Sequence, residues 1–232
     1  MTFIKVDSVS KKFGKKMALS STSFQLQKGE CVVLCGGNGA GKSTLLHILA
    51  AISKPTTGTV WLNNVHLQKN RQEYVSQIGY MPDDFFAQQM MTVQEFLSFY
   101  AAHRQVAEKQ IDEILQRIGL LEKKRELVKN LSKGMRQRLV FGQALLGSPL
   151  LLLLDEPTNG LDPFWVNEFV AILQEVKKSG TTIVFSTHMM DVAAEVGDTI
   201  LFMKEGKIVK TIRNELDKEK TTIELLHLHR SV

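Results

Sequence analysis

The residues Gly36, Gly37, Asn38, Gly39, Ala40, Gly41, Lys42 and Ser43 spell G-x-x-x-x-G-K-[ST]. The chemistry of that spacing is the cradling of phosphate. Glycines reach backbone conformations closed to other residues, so their N–H groups can turn inward around anionic oxygens. Lys42 is placed to reach β- and γ-phosphates, and the Ser43 hydroxyl a divalent cation. A helix opening at Lys42 and running through Thr44 adds its positive dipole end. The apolar run Cys31 to Cys35 enters the motif and helix-forming residues leave it, which is the context it needs. The competing reading is a merely structural glycine turn.

A second constellation follows the apolar run Leu150 to Leu154, which leads into Asp155 and Glu156. A carboxylate at the end of a buried strand is costly unless it has a partner. Beside a phosphate cradle that partner is a metal ion, usually through water, and Glu156 can polarise an attacking water. Together the two constellations imply hydrolysis of a nucleoside triphosphate.

Between them lies Leu131-Ser-Lys-Gly-Met135, followed by Arg136-Gln-Arg138. This segment resembles the LSGGQ signature of the ABC (ATP-binding cassette) ATPases. Asn159-Gly-Leu-Asp162 is similar to the family's D-loop, and Ser186-Thr-His188 to its switch histidine. Phe13 falls where the family places an aromatic against adenine. The order agrees from about residue 3 to residue 212. The resemblance implies a cofactor set of ATP and Mg²⁺. ATP would lie on Gly36 to Thr44, and Ser43 and Asp155 would serve the metal. It also implies an ATP-bound homodimer, or a heterodimer with another cassette, in which Ser132 and Gly134 touch the partner's γ-phosphate and Asp162 belongs to the shared site. Glu156 would be the general base, with Lys42 and His188 completing the catalytic set. From the bare residues, Ser132 also reads as a simple helix cap.

Two departures stand out. Asp83 occupies the position of the family's Q-loop glutamine. It can serve Mg²⁺ through water but cannot donate an amide hydrogen bond. Lys133 and Met135 replace Gly and Gln of the signature, and Lys133 either adds charge beside phosphate or faces solvent. These departures resemble the short cassettes of the ABC-2-type exporter group. Phe85, Phe86, Met90, Met91, Val93, Phe96 and Leu97 fall where the family receives a coupling helix from a separate membrane-spanning subunit. Adaptable Met and Phe side chains suit such a groove, although core packing competes for each of them. The alternatives are a soluble ABC ATPase without transport, or a regulatory cassette that hydrolyses weakly.

The surrounding elements must hold these residues in place. The chain has 232 residues, 44% of them hydrophobic and 23% charged, with a net charge of +5. That composition suits a folded globular chain and excludes a disordered one. No apolar run approaches the ~18 residues of a membrane span. No signal peptide is visible, so the expected location is cytoplasmic, peripheral on the inner face of the membrane. Cys31 and Cys35 on one strand would sit about 13 Å apart, beyond the roughly 7 Å reach of a disulfide. The histidines lack zinc-ligand spacing. The aromatics do not interleave with a basic stripe, so no nucleic-acid partner is expected.

Strands are expected over Phe3–Val9, Leu19–Gln27, Cys31–Cys35, Thr59–Leu62, Leu150–Leu154, Thr182–Ser186 and Thr199–Met203, with a hairpin at Glu205-Gly206. Helices are expected from Lys42 to Ile52, after a Thr92–Glu95 capping box, along Ile111–Ile118, after Ser132, after Asp162-Pro163 and in the tail. Strand–helix alternation implies an α/β fold with a parallel sheet. The resemblance refines this to a P-loop NTPase (RecA-like) core with an N-terminal antiparallel β-subdomain and an inserted helical subdomain. The chain would be one ABC ATPase domain over 1–232. Its core would be 1–82 and 148–212, its helical part 83–147 and its tail 213–232.

Overall fold

The computed structural model describes residues 2–83, 89–214 and 218–230. Two sheets organise it. Strands β1 (Thr2–Phe13), β2 (Lys16–Gln27), β4 (Thr57–Leu62) and β5 (Val65–His66) form an antiparallel sheet in the order β2-β1-β4-β5. The second sheet has the order β10-β9-β3-β8-β7-β6. It is built from β3 (Cys31–Cys35), β6 (Ile78–Met81), β7 (Leu151–Leu154), β8 (Thr182–Thr187), β9 (Thr199–Lys204) and β10 (Lys207–Arg213). All its neighbours are parallel except the β9–β10 hairpin.

The six-stranded sheet is covered on both faces, which explains its unbroken apolar strands. Cys31, Val33, Cys35, Leu152, Leu154 and Phe185 face one core, shared with α3 (Val93–His103), α5 (Lys133–Leu145) and α6 (Pro163–Lys178). Val32, Leu34, Leu151, Leu153 and Val184 face the other, shared with α1 (Lys42–Leu49) and the antiparallel sheet. Both thiols point into the first core and are free. Burial pushes the Cys35 thiol up to about 12 and Cys31 higher still.

Helices α3, α4 (Lys109–Arg117) and α5 lie in the chain between β6 and β7. Arg104, just past α3, donates to the carbonyls of Ile78 and Leu146, clamping the edge strand to the end of α5. The Arg138 guanidinium stacks 3.7 Å above the Trp165 ring and also donates to Ile118 and Gly119 carbonyls. This stack holds the α4–α5 connection against the start of α6.

Several expectations need correction. The helix after the glycine motif stops at Leu49 rather than Ile52, because Ala51 turns to φ 59°. The first two strands extend to meet at a tight turn, at Phe13 and Lys16. Helix α2 (Arg71–Ser76), β6 and α7 (Met190–Val196) were not expected as elements. Among the residues for which a partner groove competed with core packing, Val93, Phe96 and Leu97 take the core, while Met90 is exposed. Phe85 and Phe86 lie outside the described residues. Phe99, which carried no expectation, is 61% exposed one turn beyond Glu95.

Strand β6 is packed directly under α5. A Cβ on Gly79 would lie 2.0 Å from the Ala144 carbonyl oxygen. Over-packing of this kind costs about 1–3 kcal/mol, and each kcal/mol lowers the Tm of a chain this size by roughly 2–4 °C. Gly79→Ala should therefore melt measurably lower in calorimetry. An unchanged Tm would mean that α5 does not sit this close to the sheet.

Candidate active site

The site is built where β3, β7 and β8 end side by side. The loop leaving β3 needs its glycines. Gly36, at φ 145°, would place a Cβ 2.2 Å from the Met203 carbonyl oxygen, and Gly41, at φ 100°, one 2.9 Å from that of Ala18. Gly41 caps α1 without a side chain, so the first helical N–H groups are left for a ligand.

Lys42 is only 7% exposed. Its Nζ donates to the Gly36 and Gly37 carbonyls at 2.8 and 3.3 Å and lies 3.4 Å from Glu156 Oε1. The ammonium thus folds back over its own loop. Ser43 Oγ donates to Asp155 Oδ1 at 3.1 Å, and Ser186 Oγ donates to the same oxygen at 2.6 Å. The Ser186 hydroxyl also accepts the Glu156 N–H, at 2.8 Å. Asp155 is 1% exposed. Burial holds its pKa above the ordinary carboxylate value, against the pull of Ser186 and Ser43, and the charge of Asp83 pushes it further up.

Glu156 sits at φ 45°, a costly backbone for a residue with a Cβ. It is held there by the Ser186 hydroxyl on its N–H, by Gln137 Nε2 and the Asn159 N–H donating to its carbonyl at 3.3 and 3.1 Å, by Lys42 at Oε1 and by His188 Nδ1 at 2.9 Å from Oε2. An ionised Glu156 can only accept, so the ring proton lies on Nδ1. One carboxylate thus faces Lys42 through one oxygen and His188 through the other.

A cleft of about 540 Å³ opens over this arrangement, lined by Phe13, residues 38–44, Asp83 and Glu156. Phe13 is 55% exposed, with Lys11 Nζ 4.9 Å from its ring centroid, so one ring face is free for a flat ligand. A larger cleft, about 1000 Å³, runs between β2 and β10. None of the phosphate or carboxylate machinery lines it.

Ser132, Gly134 and Asp162 lie outside the cleft of the single chain. Ser132 caps α5, its Oγ accepting the Met135 N–H at 3.2 Å, so the cap reading holds in this state. Gly134 packs on the 159–161 turn, where a Cβ would meet the Gly160 carbonyl at 2.7 Å. Asp162 caps α6 through the Trp165 N–H at 2.9 Å. Asp83 lies at the rim, its Oδ1 accepting from Asn159 Nδ2 at 2.8 Å.

Membership follows from comparison. The sequence pattern of the ABC transporter family matches residues 19–159. The arginine transport ATP-binding protein ArtM of Bacillus subtilis (strain 168) is 35% identical over 215 residues, covering 89% of this chain and 90% of that one. The chain belongs to the ABC transporter family. The lantibiotic transport ATP-binding protein SrtF of Streptococcus pyogenes is 32% identical over 224 residues, 97% of this chain and 96% of that one. A dimeric ATP-binding cassette, solved in a post-hydrolysis state with ADP and Pi, superposes with a TM-score of 0.85 at 26% identity, covering 92% of this chain and all of that one. The fold is that of the P-loop NTPase cassettes, and the chain is an ATP-binding subunit of the ABC transporter kind.

Three residues of the cassette's site carried no role in the sequence. Ser186 and Asn159 lay inside recognised motifs but were read through their neighbours. Gln137 had a usable signal, since it is an amide on the buried face of α5.

The residues present fit a divalent cation. A nearly buried carboxylate receives two hydroxyls on one oxygen and remains above its ordinary pKa. A hard cation such as Mg²⁺ is held by one or two carboxylates plus phosphate oxygens and water, and Asp155 beside the Ser43 hydroxyl offers that donor set.

A stability prediction follows from the raised pKa of Asp155. The native state binds more protons than the unfolded state between the ordinary value and the raised one. Stability is therefore lost as pH rises through that window and stays lower above it. Asp155→Asn keeps an acceptor and removes the charge. Without ligand at pH 7 it should melt a few degrees higher than wild type, by about 2–4 °C per kcal/mol. The gain should shrink as pH falls toward the carboxylate range, and stabilisation by Mg²⁺ with nucleotide should be lost. Calorimetry across pH checks this, and a lower ligand-free Tm for Asp155→Asn would contradict it.

Proposed function

We propose that this cassette hydrolyses ATP to drive a membrane exporter, bound peripherally to a separate membrane-spanning subunit at the inner face of the membrane. The observation that carries the reading is the junction of Lys42, Glu156 and His188 at the mouth of the cleft. A cation and a general base there neutralise each other only until phosphate arrives.

Phosphates would occupy the N–H groups of Gly36 to Thr44, and adenine the free face of Phe13. Lys42 would exchange the loop carbonyls and Glu156 for β- and γ-oxygens. That exchange leaves the Glu156 carboxylate, still aimed by His188 and Ser186, free to accept a proton from water in line with the γ-phosphate. Held by Ser43 and Asp155, Mg²⁺ would offset charge on the phosphate oxygens. His188 would complete the γ-phosphate side of the site.

The partner cassette, a second copy or a heterodimer partner, would contribute its Ser132, Gly134 and Asp162. Ser132 already sits at a helix N-terminus suited to an anion. Residues 83–147 would act as the helical unit, joined to a core of 1–82 and 148–212, with 213–232 as a tail. Exposed Met90 and Phe99 on that unit suit a coupling helix of the membrane subunit. Near full-length similarity to a lantibiotic transport protein supports the exporter reading, together with the signature residues Lys133 and Met135. Among the described residues no helix is long and apolar enough to cross a membrane, in keeping with a separate spanning subunit.

The test combines single-turnover hydrolysis with size measurement in ATP. Glu156→Gln should lose about 10²–10⁴-fold of the chemical step, retain ATP and accumulate as a dimer, and adding Ser132→Arg should abolish that dimer. Asp83→Asn should keep most of the chemistry. The base assignment fails if Asp83→Asn abolishes hydrolysis while Glu156→Gln keeps more than about a tenth, well above a general base's usual share. A Ser132→Arg chain that dimerises and hydrolyses normally removes the contact in trans.

A further inference from the structure

The chain contains two Asn-Gly pairs, Asn38-Gly39 in the phosphate loop and Asn159-Gly160 in the turn after Glu156. An asparagine followed by glycine is the one most open to attack by its own backbone, because glycine has no Cβ to shield the next peptide nitrogen. The structure gives both pairs the same local backbone. Each fills the middle of a four-residue turn, one closed by the Ala40 N–H on the Gly37 carbonyl at 3.2 Å, the other by the Leu161 N–H on the Thr158 carbonyl at 3.1 Å. Both glycines stand at φ 78° and neither asparagine has a positive φ, which is the type II pattern. The surroundings differ. Asn159 Nδ2 donates to Asp83 Oδ1 at 2.8 Å, and the Asn159 N–H to the Glu156 carbonyl at 3.1 Å. A Cβ on Gly160 would meet side-chain carbons of Lys133 at 3.0 to 3.1 Å. Asn38 is exposed, and among the described residues neither its side chain nor the Gly39 N–H has a hydrogen-bond partner. A Cβ on Gly39 would find nothing within 4 Å. Both reacting groups of the first pair are thus unrestrained, whereas the second has its amide bonded and its glycine hemmed in.

We propose that Asn38 is a site of spontaneous deamidation that disables the phosphate cradle, and that bound nucleotide protects it. The disabling and the protection rest on the reading of the cleft as a nucleotide site; the difference in reactivity between the two asparagines does not. The Gly39 nitrogen gives up its proton to solvent base and attacks Asn38 Cγ. The new C–N bond closes a succinimide ring, and the bond from Cγ to Nδ2 breaks to release ammonia. Water then opens the ring at either carbonyl and leaves aspartate or isoaspartate. Water is the only co-reactant, and nothing is oxidised or reduced. Either product sets a carboxylate where phosphate oxygens would lie, and isoaspartate also lengthens the backbone of the loop. Like charges a few ångströms apart repel strongly enough to weaken binding about tenfold or more. A phosphate seated on the cradle takes up the Gly39 N–H and holds that peptide still, which withdraws the nucleophile.

Ageing the full chain at mildly alkaline pH, alone and with ADP and Mg²⁺, tests this, with peptide mass mapping to read both asparagines. In the free chain Asn38 should convert about tenfold faster than Asn159 or more, the factor that one hydrogen bond to a charged acceptor is worth. With ADP at about 100 times its Kd, conversion of Asn38 should slow by up to about 100-fold, as mass action depletes the free state. The aged wild type should lose ADP binding in step with conversion of Asn38, and Asn38→Asp should bind ADP about tenfold more weakly or worse. Equal rates at the two asparagines in the free chain, or a faster Asn159, overturn the proposal. An Asn38→Asp chain that binds ADP like the wild type overturns the disabling. The rise in Tm on adding ADP is read in the same samples. If that rise is absent, the nucleotide reading of the cleft has failed, and the ratio of rates in the free chain still decides the reactive site. If it is present while Asn38 converts as fast as without ADP, the protection has failed and the nucleotide reading stands.

Discussion

A carboxylate buried at the end of an apolar strand dictates much of this structure. Asp155 is nearly inaccessible, and an ionised group there is costly unless hydrogen bonds or a cation compensate it. The compensation comes from two other strands. Ser43 follows the loop that leaves β3, and Ser186 lies in β8, between β3 and β7 in the sheet. Only a parallel order that brings these three strand ends to one edge can deliver both hydroxyls to one oxygen. The sheet is buried on both faces, by helices on one and by α1 and the antiparallel sheet on the other.

The same economy of charge runs through the neighbouring residues. Lys42 is an almost buried ammonium whose partners are two carbonyls and the Glu156 carboxylate. A pair stripped of water contributes little net stability, while removing one member leaves an expensive lone charge. Such a pair is poised for exchange, since a phosphate can replace Glu156 at Lys42 without leaving the lysine unpaired. Glu156 meanwhile keeps its place through Ser186, Gln137 and His188. Its positive φ is the local strain that this support sustains. Helix α5 supplies Gln137 from its buried face and is capped at its start by Ser132.

Much of this was legible in the residues, for identifiable reasons. The glycine-lysine-serine spacing, the run into Asp155 and Glu156, the Thr92–Glu95 capping box and the Ser132 and Asp162 caps are all local signals, and each survives in the structure. What depends on neighbours across the sheet was not legible. Strand β6 has only four residues, one of them a glycine that exists to let α5 approach, so it lacks the length and pattern of a strand. Helix α7 has no side-chain cap and only seven residues. For Phe96 and Leu97 the sequence left a partner groove and the helical core both open, and the helical period turns them inward and leaves Phe99 outside. The Asp83–Asn159 contact joins positions 76 apart and exists only because β6 and β7 are adjacent.

Asp155 is short of full compensation in the free protein, and a cation bound with nucleotide is the partner proposed for it. A carbon-13 NMR titration of the Asp155 carboxyl in the full chain, without ligand and then with Mg²⁺ and ADP, measures this directly. Without ligand Asp155 should titrate above the ordinary carboxylate range, moving below that range when both are bound. An Asp155 that titrates at or below the ordinary value in the free protein, and does not move on loading, would contradict it.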